Sequence, residues 1–381
     1  MGGIAYNCQS LTDAQKLGCL AQRIPIEFLS AVYASQVSDL EKEQVRSHMR
    51  VVLKVDHRLE TMVTTSPSEP VLSEAAYFVM TTHPHFIAPQ VLQDILTGSL
   101  VNKGELGGLI AALLFTMARD KAVGPADHLG RPPNNQRWCS LTGLLTSLFC
   151  PPTAATPQGW HFAEESLNQT ESSLAKTFKR SRVYVTHFIK VHEQSVADVK
   201  FLMCLMARGA AVLCANGQYA VDGIIPFLVE GDEIRSDNIG LIMFQVKNDS
   251  KYSASPHSNL FNAMDPCVLK IVGSATNVPT IRIVFALAGR TTAIELTAHN
   301  TTTTTGSCSR YDFWVSGLSP KVLFPVRKDA SAWNSILQAS YGWDRIYFDT
   351  LKLRAAHRKS MNPGVATDGE FWKNWCKLDS L

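Results

Sequence analysis

Three polar residues in the second half of the chain have the types that phosphodiester cleavage requires. Asp222 offers a carboxylate, Gln245 an amide oxygen and Lys247 an ammonium group. A hard divalent cation prefers oxygen ligands, which Asp222 and Gln245 can supply. Such a cation polarises a phosphate and lowers the pKa of a bound water, while a lysine can orient that water or offset charge in the transition state. The three residues therefore form a candidate metal-dependent hydrolytic site.

The residues around this set predict a β-hairpin followed by a third strand. Asn216-Gly217 stands between two apolar runs, and such a turn favours positive φ at both positions. Asp222 lies in the second hairpin strand, and Gln245 and Lys247 lie in the next strand. Residues two apart in a strand face the same side, so Gln245 and Lys247 share one face. We expect adjacent strands to bring all three side chains to one patch.

A second acid, carried by a packed helix, would complete the site. The most regular helical pattern is GELGGLIAALLFTMARD (104–120), and Glu105 lies in its first turn. Glu105 is therefore the candidate acid. The simpler alternative is that Glu105 only complements the helix dipole and that Lys247, followed by Asn248, ends a solvated strand.

At these residues the sequence resembles the PD-(D/E)xK nuclease superfamily. More specifically, it is similar to the nuclease-like domain of uncharacterised mushroom-type fungal proteins and of Crinkler-type effectors. The resemblance covers about residues 70 to 290. Its carriers are GELGGLIAALLFTMARD (104–120), VYVTHFIKV (183–191), RGAAVLCANGQYAVDGIIP (208–226) and LIMFQVKND (241–249).

The resemblance implies a DNA-cleaving enzyme that uses Mg²⁺ or Mn²⁺. It makes Asp222 the metal-binding Asp, Lys247 the catalytic Lys and Glu105 the acid of the first core helix. Most members carry a carboxylate at the position of Gln245, whereas Mrr-like nucleases carry a Gln there, as this chain does. A long stretch separates Glu105 from the hairpin, so Asp198, on the helix just before the hairpin, is the substitute metal ligand.

Basic residues offer a possible contact for nucleic acid. Lys179, Arg180 and Arg182 cluster before the segment THFIKV and are candidates for binding phosphates. A second basic run lies between residues 352 and 359. Clusters of this kind are more often plain solvated faces.

The predicted fold is α/β (α+β), a restriction-endonuclease-like mixed sheet flanked by helices. Residues 1–70 form a helical N-terminal region, 71–300 the nuclease-like domain with an insertion at about 121–176, and 301–381 a C-terminal extension packing on the core. A helix is expected over 195–209, with Ser195 and Asp198 as a capping-box-like pair. The threonines of 300–305 predict a loop.

Composition limits the function classes. The chain has 381 residues, 45% of them apolar, and a net charge of only +3, which argues against a strongly basic nucleic-acid binder. No apolar run is long enough for a membrane span, and no signal peptide is recognisable. Nine cysteines without a C-x-x-C pair favour reduced thiols. We therefore expect an intracellular protein, cytoplasmic or nuclear, without a membrane partner.

Three functions stay open at this point. The first is a metal-dependent nuclease acting on DNA, and the second is a catalytically inactive nuclease fold that binds nucleic acid or protein. The third is a structural or regulatory fragment of a larger fungal protein. The sequence leaves the oligomeric state undetermined.

Overall fold

The computed structural model describes most of the chain up to Ser340. The described residues are 10–27, 35–55, 57, 62–98, 103–125, 137–150, 162, 169–193, 198–248, 252, 255–273, 278–289, 291–303 and 306–340. Within them the protein is a mixed α/β fold in which helices flank a curled mixed sheet, so the predicted fold class is confirmed. The basic run at 352–359 lies outside these residues.

The described stretches contain α-helices and one 3-10 helix, Phe324–Lys328. The α-helices are α1 (Asp13–Ala21), α2 (Ser35–Ser47), α3 (Pro70–Thr82), α4 (Ala88–Gly98), α5 (Lys103–Val123), α6 (Leu141–Leu148), α7 (Gln169–Thr177), α8 (Val199–Ala207), α9 (Ser258–Ala263) and α10 (Ala330–Ser340). No helix within the described residues is long and apolar enough to cross a membrane.

The described strands form a separate two-stranded hairpin and one large sheet. The hairpin consists of β1 (Val51–Val55) and β2 (Met62–Thr65). The strands of the sheet are β3 (Cys139–Ser140), β4 (Arg182–Val183), β5 (His187–Lys190), β6 (Ala210–Leu213), β7 (Gly223–Leu228), β8 (Ile239–Lys247), β9 (Thr280–Ala286), β10 (Ala293–Thr303) and β11 (Gly306–Ser316).

The sheet is built outward from strand β8. Its main order is β10-β11-β9-β8-β7-β4-β3, and β6 pairs with both β7 and β5. Strand β7 runs antiparallel to both of its neighbours, β6 and β8, whereas β9 runs parallel to β8. A parallel neighbour needs a crossover connection, and helix α9 lies in that connection. The predicted third strand, 239–248, is thus the central strand of the sheet.

Strand β8 packs apolar layers on both faces. Ile242 and Phe244 belong to the larger core, where the Phe244 ring lies 5.2 Å from that of Phe115 in helix α5. Leu241 and Met243 belong to a second core, which helix α8 and helix α9 cover. Burial on both faces explains why β8 reads as a continuous apolar run rather than as an alternating one.

Two predicted turns differ in part from the structure. Asn216-Gly217 does form a turn, in which the Gln218 N–H donates to the Ala215 carbonyl at 3.0 Å. Strands β6 and β7 are separated by residues 214–222, however, so the link is longer than a two-residue turn. Gly217 and Ala220 have positive φ, of 72° and 64°, whereas Asn216 does not. The Thr-rich segment 300–305 was expected to be a loop, but β10 runs to Thr303 and β11 begins at Gly306, because the threonines are β-branched and pair across the hairpin.

Two predicted helix boundaries also differ. Helix α8 begins at Val199, with Asp198 itself as its N-cap: the Asp198 carboxylate accepts the Phe201 N–H at 2.8 Å. The expected cap at Ser195 lies outside the described residues. In the N-terminal region, the helical pattern ends at Ser47, and strand β1 follows. The boundary predicted at residue 300 falls inside strand β10.

A buried ion pair fixes the junction of β9 and β11. Arg282 and Asp312 are paired in the strand register, and both Asp312 oxygens accept hydrogen bonds of 2.6 Å from the Arg282 guanidinium. The guanidinium also donates to the Phe261 carbonyl at 2.7 Å, which ties helix α9 to the sheet. The side chains are only 6% and 5% exposed, so loss of one partner would leave the other charge buried.

We expect Arg282→Met to destabilise the protein by about 3–5 kcal/mol, because the buried Asp312 would lose both guanidinium hydrogen bonds and keep only the half-exposed His299 ring, 3.1 Å away, as a partner. Urea unfolding followed by circular dichroism measures the change. Arg235→Met is the control, since Arg235 pairs with Glu233 and Asp237 at the surface and its loss should alter stability little. Equal effects of the two substitutions would contradict the assigned role of the buried pair.

Candidate active site

The Asp222 carboxylate joins the ends of two central strands. Asp222 directly precedes β7, and its Oδ2 accepts a hydrogen bond of 2.6 Å from the Val246 N–H of β8. Its own N–H donates to the Phe244 carbonyl at 2.9 Å, while its carbonyl accepts the Cys214 N–H at 2.8 Å. Oδ2 thus accepts a backbone N–H of β8 that the pairing with β7 leaves free. This hydrogen bond holds the carboxylate against Val246, which lies between Gln245 and Lys247.

Gln245 lies next to Asp222 with an unsatisfied amide oxygen. The residue is 6% exposed, and no hydrogen-bond donor among the described residues reaches its Oε1. A buried amide oxygen without a partner is unfavourable, which makes Gln245 an unusual choice for a strand flanked by apolar layers. An electropositive partner at this position would remove that penalty.

Lys247 completes the predicted set. It lies two residues beyond Gln245 on the same strand, so both side chains leave the same face of β8. Burial raises the pKa of the Asp222 carboxyl group, and the positive charge of Lys247 offsets part of that rise. The structure therefore brings Asp222, Gln245 and Lys247 to the same end of adjacent strands β7 and β8.

Burial dominates the electrostatics of Asp222. It raises the pKa of the carboxyl group above its usual value, and this effect outweighs the opposing hydrogen bond from Val246 and the charges of Lys247 and Lys190. The ionised form is thus held at a net cost in free energy. A positively charged ligand at the carboxylate would reduce that cost.

The connection before Asp222 is unusual in its backbone geometry. Ala220 has φ of 64°, a left-handed conformation that a residue with a side chain adopts at some cost. The Val221 N–H closes a tight turn onto the Tyr219 carbonyl at 2.9 Å. This turn directs the chain into β7 at Asp222.

The two candidate acids lie on helices that pack on different faces of the sheet. Helix α5, which carries Glu105, packs on the face of Val246: a Cβ placed on Gly107 would lie 3.2 Å from the Val246 side chain. The Glu105 side chain is outside the described part of the structure. Helix α8, which Asp198 caps, packs on the face of Leu241 and Met243, the face that Gln245 and Lys247 share.

Element lengths place Asp198 at the same end of the sheet as Asp222. Helix α8 and strand β6 are joined through Gly209, which has φ of 61° and lets the chain reverse. The nine residues of α8 span about 14 Å and the four of β6 about 13 Å, so the start of α8 lies over the end of β6. The next residue after β6 is Cys214, whose N–H donates to the Asp222 carbonyl. Asp198 is exposed there.

The predicted basic cluster lies at the opposite end of the sheet. Arg182 pairs with Leu228, the last residue of β7, about 20 Å along the strand from Asp222. Its guanidinium is ion-paired with Asp232, and Arg180 lies 3.8 Å from Glu230. Lys179 lines the same groove. The acidic loop between β7 and β8 thus offsets part of the positive charge of this cluster, which the sequence suggested as a contact for nucleic acid.

Two residues near the site were not singled out from the sequence. Lys190 ends β5, and its Nζ donates to the Asn216 Oδ1 at 2.6 Å while its charge acts on Asp222. Cys214 lies beside the same carboxyl group. Burial, and to a smaller extent the negative charge of Asp222, raises the pKa of the Cys214 thiol to about 12. Lys190 could be found only by knowing that β5 lies parallel to β6, a pairing that local sequence does not encode.

The oxygen atoms of Asp222 and Gln245 fit a cation that retains much of its water shell. Mg²⁺ is commonly held by one or two protein carboxylates together with several waters and substrate phosphates. Within the described residues no group of three or more His, Cys, Asp or Glu side chains is arranged to hold a metal ion. The protein would therefore supply Asp222, the Gln245 amide and one further acid at most from its nearby helices.

Comparisons with known proteins give no match: none among protein families, none among curated proteins and none among solved structures.

The raised pKa of Asp222 predicts a pH-dependent stability. The folded state binds this proton more tightly than the unfolded state, so the contribution is fully present below the ordinary pKa of about 4 and is lost as pH rises through the raised value. We expect Asp222→Asn to gain stability relative to the wild type as pH rises over this window. Asparagine can still accept the Val246 N–H.

Urea unfolding at a series of pH values from acidic to neutral measures this difference. Asp237→Asn, at an exposed carboxylate, corrects for the general loss of one negative charge. A constant difference between Asp222→Asn and wild type at every pH would show that burial does not disfavour the Asp222 charge.

Proposed function

We propose that this protein is a metal-dependent nuclease of the PD-(D/E)xK type that hydrolyses phosphodiester bonds in DNA. The observation that carries the proposal is the placement of Asp222, Gln245 and Lys247 at one end of β7 and β8, with the Gln245 Oε1 buried and without a donor among the described residues. A carboxylate, an amide oxygen and an ammonium group at one point suit a hard cation and a phosphate. The proposal includes an intracellular site of action, cytoplasmic or nuclear.

Each residue has a definite task in this proposal. Asp222 and Gln245 hold Mg²⁺ or Mn²⁺, which supplies Lewis-acid polarisation of the phosphate when bound. Lys247 hydrogen-bonds the attacking water or a phosphate oxygen and offsets negative charge as water attacks phosphorus. The water oxygen bonds to phosphorus and releases one proton to the solvent. The phosphorus–oxygen bond to the leaving group breaks, and that oxygen takes up one proton from the solvent. The backbone N–H of Val246 orients the carboxylate by holding its Oδ2.

The alternative function is a catalytically inactive fold that binds nucleic acid or protein. One observation favours it: Gln245 is 6% exposed and stands where a second carboxylate would strengthen metal binding. The two functions differ in whether cleavage accompanies binding, so a single variant separates them.

Lys247→Ala is expected to reduce metal-dependent cleavage of plasmid DNA by roughly 10²-fold or more, as loss of one transition-state contact does in other enzymes. Nicking of supercoiled plasmid with Mg²⁺, with Mn²⁺ and with a chelator measures the rate. Lys176→Ala removes an exposed lysine of helix α7 and is the matched control, which should cleave like the wild type. Wild-type protein that binds DNA but does not cleave it with either metal would instead support the inactive fold.

Helix α8, which Asp198 caps, packs on the face of the sheet that Gln245 and Lys247 share. We therefore expect Asp198, and not Glu105, to be the additional acid that binds the metal ion. Asp198→Asn should weaken Mn²⁺ binding and cleavage more than Glu105→Gln. Asparagine can still cap helix α8 through the Phe201 N–H, so the change tests charge rather than folding. Titration calorimetry with Mn²⁺ in the absence of DNA gives the affinity separately from cleavage. A larger effect of Glu105→Gln would assign the acid to helix α5.

A further inference from the structure

A cleft lies far from Asp222, between helix α3, the far end of helix α5 and the 3-10 helix. Its volume is about 440 Å³, within the range of roughly 300–1,000 Å³ found for small-molecule sites. Met117 and Lys121 line it, and they lie about 15–20 Å along α5 from Gly107, the point where α5 meets strand β8. The cleft is therefore separate from the candidate active site.

The walls of the cleft are apolar. Met80 and Phe86 are buried at 7% and 2% exposure, and Met117 and Phe324 continue the same surface. Methionine side chains are unbranched and adaptable, so two of them in one wall suit a flexible aliphatic chain.

The rim of the cleft carries three cations, Lys121, Arg327 and Lys328. Lys121 Nζ and the Arg327 guanidinium both lie against the ring of Phe324. In the part of the chain that the structure describes, none of the three is ion-paired with a carboxylate.

The acid that also borders the cleft does not compensate this charge. Asp120 is held by Arg23, whose guanidinium donates to its two oxygens at 2.5 and 2.8 Å, and Arg119 Nη1 lies 3.3 Å from the same carboxylate. Asp120 is thus neutralised from the core side, and the rim keeps a net positive charge.

The proximity of the rim cations has an electrostatic cost. Partial burial lowers the pKa of Lys121, and the charge of Arg327 lowers it further. An anion bound between the cations would reduce their mutual repulsion. Contact with an aliphatic group would remove the apolar wall of the cleft from water.

We propose that this cleft binds an amphipathic anion, a molecule with an aliphatic chain and a single carboxylate or phosphate head group. The chain lies against Met80, Phe86 and Met117, and the head group lies between Lys121 and Arg327. The inference does not depend on the proposed nuclease activity, because no residue of that site lines the cleft.

Decanoate is the probe for this proposal, and octanoate, decan-1-ol and decyl phosphate are the comparison ligands. Burial of two additional methylenes should make decanoate bind about 15-fold more tightly than octanoate, from roughly fourfold per methylene. Decan-1-ol, which lacks the charge, should bind at least tenfold more weakly than decanoate. Decyl phosphate and decanoate identify the preferred head group, and tight binding of either supports the proposal.

The methionine methyl groups locate the ligand directly. In protein labelled with ¹³C-methyl methionine, decanoate should shift the signals of Met80 and Met117, which line the cleft. Met243 and Met264 lie in the second core and serve as internal controls whose signals should not move. Shifts spread over all four methionines, or absent from Met80 and Met117, would overturn the assignment of the site.

Charge removal tests the head-group contact. The double variant Lys121→Gln/Arg327→Gln should bind decanoate at least tenfold more weakly and bind decan-1-ol as the wild type does. Lys321→Gln, at an exposed lysine that does not line the cleft, is the matched control and should bind both ligands like the wild type. Equal decanoate affinity of the double variant and the wild type would overturn the proposal, and unchanged thermal melting establishes that the variant is folded.

Discussion

Strand β8 is the element on which the other layers depend, because it is paired on both edges and buried on both faces. Its antiparallel neighbour β7 and its parallel neighbour β9 fix the sheet, and its two faces separate the two cores. At its end the regular pairing with β7 stops, and the Asp222 carboxylate takes over as acceptor for the Val246 N–H. A structural hydrogen bond and the candidate chemistry therefore share one side chain, which explains why the acid is both well positioned and held at an electrostatic cost.

Local sequence was sufficient for the elements around this point but not for their neighbours. The apolar run 239–248 and the helical pattern 104–120 predicted β8 and α5 because burial and periodicity are local signals. The register that brings Asp222 beside Gln245 followed from two consecutive strands. The position of Lys190 could not be predicted, since it depends on the parallel pairing of β5 with β6 across a helix. The Asn216-Gly217 turn was predicted correctly, but the length of the link was not, because the further turn at Ala220 depends on how β7 pairs in the sheet.

Charge is distributed by pairing rather than by a continuous basic surface. Arg180 and Arg182 face the acidic loop, Arg23 holds Asp120, and Arg282 holds Asp312 inside the sheet. Sequence counts predict neither these partners nor the few places where cations remain together. His187 illustrates the same principle for a neutral group: both ring nitrogens are hydrogen-bonded, to Ser68 and Thr186, and burial lowers its pKa to about 4. Its contacts are those of a structural histidine.

The two proposed binding regions differ in how much of the chain each requires. Asp222, Gln245 and Lys247 come from one short stretch of consecutive strands, so their arrangement needs only local loops to close. The cleft at Met80, Met117 and Phe324 joins segments from near the beginning and the end of the described chain. Loop closure over long separations is slower and comes later than local pairing. During synthesis on the ribosome, the acid–amide–amine set is therefore expected to assemble before the cleft, which requires the 3-10 helix Phe324–Lys328 that follows the last strand.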